Sequence, residues 1–349
     1  MRLACLRLEE CLATAVLQCR CHSTLFRVPF RRPLASMQAF YSDHFVLPLP
    51  PGHRFPMEKY ARLRERVAGE LPHVELTEAL PADDAMLGRV HSREYVERVS
   101  AGELDPKEQR SIGFPWSPQM VERSRRSAGA TVAACRAALI DGVAANLAGG
   151  THHAYADRGE GFCVFNDAAV AARTMQAEVG PGTRVAIIDL DVHQGNGTAA
   201  IFEHDPSVFT LSLHGEHNYP FHKATGDLDV ALPDGCGDDE YLVALGHALT
   251  DLFAQFTPTL VIYLAGADPL ENDRLGRLSL THDGLLARDH HVLTACAERG
   301  LPVAIAMAGG YGRDIDQTVA AHFATIRLAS RFHRTVRGRF HASAGGVLV

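Results

Sequence analysis

The chain has 349 residues, 46% hydrophobic and 21% charged, which is enough apolar material for a sizeable core and too much for wholesale disorder. With 34 Lys+Arg against 41 Asp+Glu the formal charge is −7, which argues against a nucleic-acid binder held by bulk charge and favours a basic partner. No apolar run reaches the roughly 18 to 20 residues that cross a bilayer, so a soluble, cytoplasmic protein is expected.

Residues 1–36 form a composition break, with six arginines, no lysine and only Glu9 and Glu10 as acids. An Arg-rich, acid-poor leader would be an organellar transit peptide. The two glutamates and Cys5, Cys11, Cys19 and Cys21 fit better an extension ahead of a start at Met37. Residues 37–330 show no repeat, linker or charge block, so one domain is expected there. After an apolar and aromatic run at 39–49, helical patterns occupy 120–140, 165–178, 238–256 and 283–299. Between and beyond them, continuous apolar runs at 185–190, 208–213, 260–264 and 303–307 read as strands buried on both faces, the mark of a parallel sheet covered by helices. Alternation of such strands with helices makes an α/β fold. Cys135, Cys163, Cys236 and Cys296 are scattered singly, in the pattern of neither a zinc ribbon nor a disulfide framework, and are expected reduced. Residues 331–349, with Arg331, Arg334, Arg337 and Arg339, read as a basic, flexible tail.

The chemistry gathers at the strand ends. The run 185–190 leads into Asp189, Asp191 and His193; 208–213 into His214; 260–264 into Asp268; 303–307 into Gly309, Gly310 and Tyr311. In an open parallel sheet, ligands bind beyond the carboxyl ends of the strands. Asp191, His193 and Asp268 would give a divalent metal three protein ligands and leave a position open, as a catalytic site requires. Zinc is the first choice, with iron(II) or cobalt next, because nitrogen and oxygen ligands discriminate poorly. Gly150-Thr151-His152-His153 comes after the apolar stretch 143–147, and such a pair can divide labour, one imidazole moving a proton while its neighbour holds a charge. Asp189 is a candidate to orient one of them. Tyr311, in a glycine turn, can donate a hydrogen bond to an oxyanion as it forms.

Gly149-Gly150-Thr151-His152-His153, Gly161-Phe162-Cys163-Val164-Phe165-Asn166-Asp167, the run from Asp189 through Asp191, His193 and Asn196 to Thr198, Asp268-Pro269 and Gly309-Gly310-Tyr311 together resemble the ordered motifs of the zinc-dependent histone deacetylase family. The similarity runs from about Phe45 to Arg327, and Asp-Val-His-Gln-Gly-Asn-Gly at 191–197 looks most like the class IV branch and its bacterial relatives. The resemblance implies a single-domain arginase/deacetylase-type fold with an eight-stranded, mostly parallel sheet. It implies that Asp191, His193 and Asp268 bind zinc, that His153 is general base and then acid, that His152 is an electrostatic partner paired with Asp189, and that Tyr311 polarises the carbonyl. By the same implication potassium sits on Asp189, Ser212 and the carbonyls of Asp191, His193 and Leu213, while Gly161, Phe162 and Leu275 line a tunnel for the acyl-lysine stem. The substrate would be an acylated lysine peptide or an acetylated polyamine.

Two positions depart from the pattern. Asn196 stands where many relatives have an aspartate orienting the general base, so His153 should lack a negative partner and hold its proton less tightly. The second aromatic wall of the tunnel has no clear counterpart within 216–223, where Tyr219, Phe221 and His222 compete for the place. Two other function classes fit parts of the sequence. The Asp189-Leu190-Asp191 pattern after an apolar strand is also that of magnesium phosphatases with an aspartyl nucleophile, which leaves His152, His153 and Tyr311 unused. A non-catalytic acyl-lysine binding module would have no need of the complete set of polar groups.

Overall fold

The computed structural model describes residues 36–344; of the amino-terminal extension expected at 1–36, residues 1–35 lie outside them, as does the end of the tail. In chain order the elements are β1 (Met37–Tyr41), α1 (Glu58–Glu70), β2 (Val74–Glu78), α2 (Asp84–Leu87), α3 (Arg93–Ala101), α4 (Pro106–Ile112), α5 (Pro118–Asp141), β3 (Val143–Asn146) and α6 (Asp167–Val179). Next come β4 (Val185–Asp189), α7 (Asn196–Phe202), β5 (Val208–Gly215), β6 (Leu228–Leu232), α8 (Asp238–Gln255), β7 (Leu260–Leu264), α9 (His282–Glu298), β8 (Val303–Ala306) and α10 (Ile315–Ala344).

The eight strands form one sheet in the order β2-β1-β3-β8-β7-β4-β5-β6, and every neighbouring pair is parallel. Side chains alternate across a strand, so a sheet covered on both faces must be apolar at every position. In β4, Ala186 and Ile188 join a core with Tyr241, Leu245, Val292 and Ile326 of α8, α9 and α10. Val185 and Ile187 face the opposite core, with Tyr95, Met120, Ala169 and Met175 of α3, α5 and α6. Small residues let α5 lie close to its neighbours: a Cβ on Gly129 would strike the carbonyl of Leu80.

Local signals set the helix starts. Ser117 accepts a hydrogen bond from the Met120 amide with Pro118 in the first turn, Asn166 accepts from Ala169, and Thr281 from Gly284. The tail expected to begin at 331 starts within α10, which continues to Ala344. The strand expected at 208–213 extends through His214 to Gly215. Cys135, Cys163, Cys236 and Cys296 are free and buried.

The order β3-β8-β7-β4 is what positions the site. The stretches leaving these four adjacent strands are those that carry His152 and His153, Tyr311, Asp268, and Asp191 with His193.

Candidate active site

The turn after β4 holds its carboxylates with its own backbone. The Asp191 amide donates to Asp189 Oδ1 (3.1 Å), the His193 amide to Asp191 Oδ1 (2.9 Å) and the Val192 amide to Asp268 Oδ1 (3.0 Å), which ties this turn to the one after β7. From the turn after β8, the Gly309 amide donates to Asp191 Oδ2 (2.7 Å). Only glycine fits there, because a Cβ would collide with the carboxylate oxygens of both Asp191 and Asp268. The result is that Asp191, His193 and Asp268, all buried, offer ligand atoms lying within 4.8 Å of one another.

This cluster carries an excess of negative charge. Asp268 Oδ2 is buried without a hydrogen-bond donor, and His193 Nδ1 points between Asp191 Oδ1 (2.8 Å) and Asp268 Oδ2 (3.4 Å). Burial alone would favour a neutral His193, but the two carboxylates outweigh it and push the imidazole up to about 10. Burial, reinforced by the Asp191 charge, holds the Asp268 carboxyl above the usual carboxylate range. Oxygen and nitrogen donors packed this closely in a buried place suit a divalent cation.

The paired histidines lie beside it, their ring centroids 4.2 Å apart. His152 Nδ1 meets Asp189 Oδ2 at 2.6 Å. Burial opposes a charge there, but Asp189 and Asp191 raise the imidazole to about 9. His153 is driven the other way, well below the ordinary histidine range, by burial and then by the charges of His152 and His193. Its Nδ1 meets Asn196 Oδ1 at 2.6 Å, so the nearest partner is neutral, as expected. Behind it stands a carboxylate: Asn196 Nδ2 donates to Glu160 Oε1 (2.8 Å) and to the Tyr155 hydroxyl (3.0 Å), and the Tyr219 hydroxyl donates to the same Glu160 oxygen (2.9 Å). The loop carrying the histidines hangs on buried Asp167, whose carboxylate accepts from the Gly150 amide (3.0 Å), the Thr151 amide (2.7 Å) and the Thr131 hydroxyl (2.6 Å).

Of these groups, His152, His153, Asp191 and His193 line a cavity of about 590 Å³, together with Tyr311. Gly161, Phe162 and Leu275 line it too. Phe162 stacks on Phe114 at 5.3 Å and lies 5.4 Å from Phe55. The wall left open by the sequence is Tyr219, whose ring stands edge-on to His153 at 4.9 Å, while Phe221 is 81% exposed at the mouth. Tyr311 is fixed through its backbone: its amide donates to Asp273 Oδ2 (2.6 Å), and its carbonyl accepts from Arg274 Nε (2.8 Å). Burial, with the charges of Asp191 and Asp268, keeps its phenol protonated, far above the usual range.

Asp189, Ser212 and Leu213 do not line this cavity. Asp189 and Ser212 are register partners on β4 and β5, and both border a separate void of about 10 Å³. Both Asp189 oxygens are engaged, one by His152 and one by the Asp191 amide, which is unsuited to the nucleophile that a phosphatase would need. Sequence reasoning missed Glu160, Tyr155, Phe55, Phe114 and the arginines at the mouth. A carboxylate two residues before Phe162, in the glycine-flanked stretch 159–161, was the one available signal for Glu160.

Known proteins carry the same arrangement of chain. A histone deacetylase domain profile matches residues 53–326. An uncharacterised protein of Picosynechococcus is 45% identical over 83% of this chain and 97% of its own length. Histone deacetylase 2 of Arabidopsis thaliana is 31% identical over 83% of this chain and 79% of its own. The crystal structure of an HDAC homologue complexed with SAHA superposes with a TM-score of 0.73 at 27% identity, covering 84% of each chain. With the motifs, the eight-stranded parallel sheet and these similarities in agreement, the chain belongs to the histone deacetylase family of the arginase/deacetylase superfamily.

Proposed function

We propose that this protein is a metal-dependent amidohydrolase that removes acyl groups, acetyl first among them, from lysine side chains. The observation that carries the reading is the juxtaposition of three ligand atoms within 4.8 Å with two histidines and a tyrosine on one cavity. Asp191, His193 and Asp268 would hold the ion, and Asp268 Oδ2, buried without a hydrogen bond and faced only by the His193 imidazole at 3.4 Å, is the atom that most needs it. Zinc suits this donor set, as do iron(II) and cobalt(II). Bound there, the ion supplies Lewis acidity, which polarises an amide carbonyl and makes a water molecule more acidic.

The chain's own groups do the rest. His153, neutral near pH 7, takes the proton of the attacking water and passes it to the departing lysine amine. His152, kept charged by Asp189, stabilises negative charge developing beside it. The Tyr311 hydroxyl donates to the carbonyl oxygen as it becomes an oxyanion. Phe162, Tyr219 and Leu275 exclude water from the lysine stem, and the close approach allowed by Gly161 narrows the passage beside His153. The run 191–197 supports a class IV-like placement, whereas the potassium site stays an implication of the resemblance, since the void beside Asp189 and Ser212 is not bordered by Leu213, Asp191 or His193.

The test is a panel of acetyl-lysine and longer acyl-lysine peptides with acetylpolyamines, assayed with and without chelator. Acetate release from the peptides, abolished by chelation and restored by zinc, is expected; activity indifferent to chelation, or confined to phosphate esters with magnesium, rejects the reading. Asp191→Ala should also purify folded but without stoichiometric metal, and full metal content in that variant would remove Asp191 from the ligand set.

A further inference from the structure

The charge of the molecule and the charge of its mouth have opposite signs. The chain carries −7 overall, yet the exposed arginines bordering the cavity are Arg54, Arg110, Arg274 and Arg277, and among the described residues the sole carboxylate lining it is Asp191 on the floor. Arg277 is answered by Asp234 at 3.0 Å. The other three are exposed and make no ion pair among the described residues. They come from three separate stretches: the loop ahead of α1, the last turn of α4 and the loop between β7 and α9. Arg274 is held in place by carbonyls, with Nε on Tyr311 O (2.8 Å) and Nη2 on Arg54 O (3.4 Å), so its charge is positioned and left uncompensated.

Three unpaired guanidiniums around one opening repel a cationic carrier and attract an anionic one, and a mouth with low-dielectric walls focuses that field. The guanidinium fork matches a carboxylate in two parallel hydrogen bonds. On the amide-hydrolase reading, on which this step rests, the acyl-lysine side chain runs down the cavity. The rim then meets what flanks the lysine along the chain rather than the acyl group. We propose that the preferred substrate is an acyl-lysine in an acidic protein segment, with aspartate or glutamate on both sides of the lysine, and that Arg54, Arg110 and Arg274 select it over basic segments and polyamines. The basic partner expected from net charge is replaced by an acidic one, because the local field at the opening, not the total, meets the substrate.

The experiment compares acetyl-lysine peptides with Asp/Glu, Gly/Ser or Lys/Arg flanks, and a monoacetylated polyamine, on the purified metal-loaded protein. Binding is read by fluorescence anisotropy and turnover by acetate release, each at low and high salt. Acidic flanks should bind about tenfold more tightly than basic ones, a margin that salt erodes, as exposed charge pairs at a steering surface require. Arg54→Glu combined with Arg110→Glu should invert the order, and Arg54→Gln with Arg110→Gln should flatten it; neither touches the metal ligands or the histidines. Equal binding across the flanks, tighter binding of basic peptide or polyamine, or an order that survives the double reversal overturns the inference. Ordered binding with no acetate released from any substrate sinks the hydrolase reading alone, whereas turnover without charge preference sinks this one alone.

Discussion

On the proposed mechanism, a single phenol and a single amide set the reactivity of the cavity. Tyr311 lies on the wall with its backbone pinned on both sides, so Tyr311→Phe would leave the ring packing in place and take away only the hydrogen bond that the proposed mechanism gives to the carbonyl oxygen. Because that bond strengthens as charge moves onto the oxygen, kcat should fall about 10²- to 10³-fold while KM changes little; steady-state kinetics on one acetyl-lysine peptide decides it, and an unchanged kcat removes the residue from the mechanism. Asn196 is a subtler case. Its amide accepts from one neighbour and donates to another, lying between His153 Nδ1 and Glu160 Oε1. Asn196→Asp would add negative charge beside His153 and set two carboxylates against each other. His153 sits well below the ordinary histidine range in the native arrangement, and an added negative neighbour raises it. A base with a higher pKa is protonated at higher pH, so the acidic limb of kcat/KM should move up in the variant. An unmoved limb would mean that position 196 does not govern the proton on His153.

Between residue and fold, the start of α6 acts as a fastening for the loop that carries His152 and His153. Asp167 is fully buried and takes hydrogen bonds from Gly150, Thr151 and Thr131. Asp167→Ala leaves these donors without their acceptor, at a cost of about 1–3 kcal/mol for each buried group so stranded. Denaturant unfolding should report a loss of at least that size, with activity lost through displacement of His152 and His153; stability within error of the parent would contradict the fastening. The same scale explains what could be read in advance. β4, β7 and β8 are apolar runs because helices cover both faces, and their ends announced Asp191, His193, Asp268 and Tyr311. In the edge strands β2 (VELTE) and β6 (LDVAL) the exposed Glu75, Glu78 and Asp229 interrupt the apolar residues, so no such run marks them. Glu160, Tyr219 and Arg274 sit in loops, and their places depend on contacts with residues distant in sequence, such as Asn196, His153 and Tyr311. No local period encodes such contacts.

For the whole molecule, a bound ion would link fold and proton through one cluster. Asp191 and His193 lie just past β4 and Asp268 just past β7, so a bound cation would join the turns beyond two neighbouring strands at the centre of the sheet. A ligand that binds only the folded chain stabilises it, by about 2.7 kcal/mol at a concentration one hundred times its Kd. Without the ion, His193 is raised to about 10 by Asp191 and Asp268, so at neutral pH it carries a proton that a metal must displace. That exchange sets the sign of the pH dependence. Below about pH 10, each step down in pH favours the proton over the metal, so affinity should weaken as pH falls, and binding should release a proton to the buffer. The stabilisation should track the affinity: the rise in Tm produced by a fixed zinc concentration should be larger at pH 8 than at pH 6, and calorimetric enthalpies should vary with the ionisation enthalpy of the buffer. A Tm indifferent to zinc at both pH values would mean that these three residues do not form the ligand set, and binding without proton release would mean that His193 is already neutral before the ion arrives.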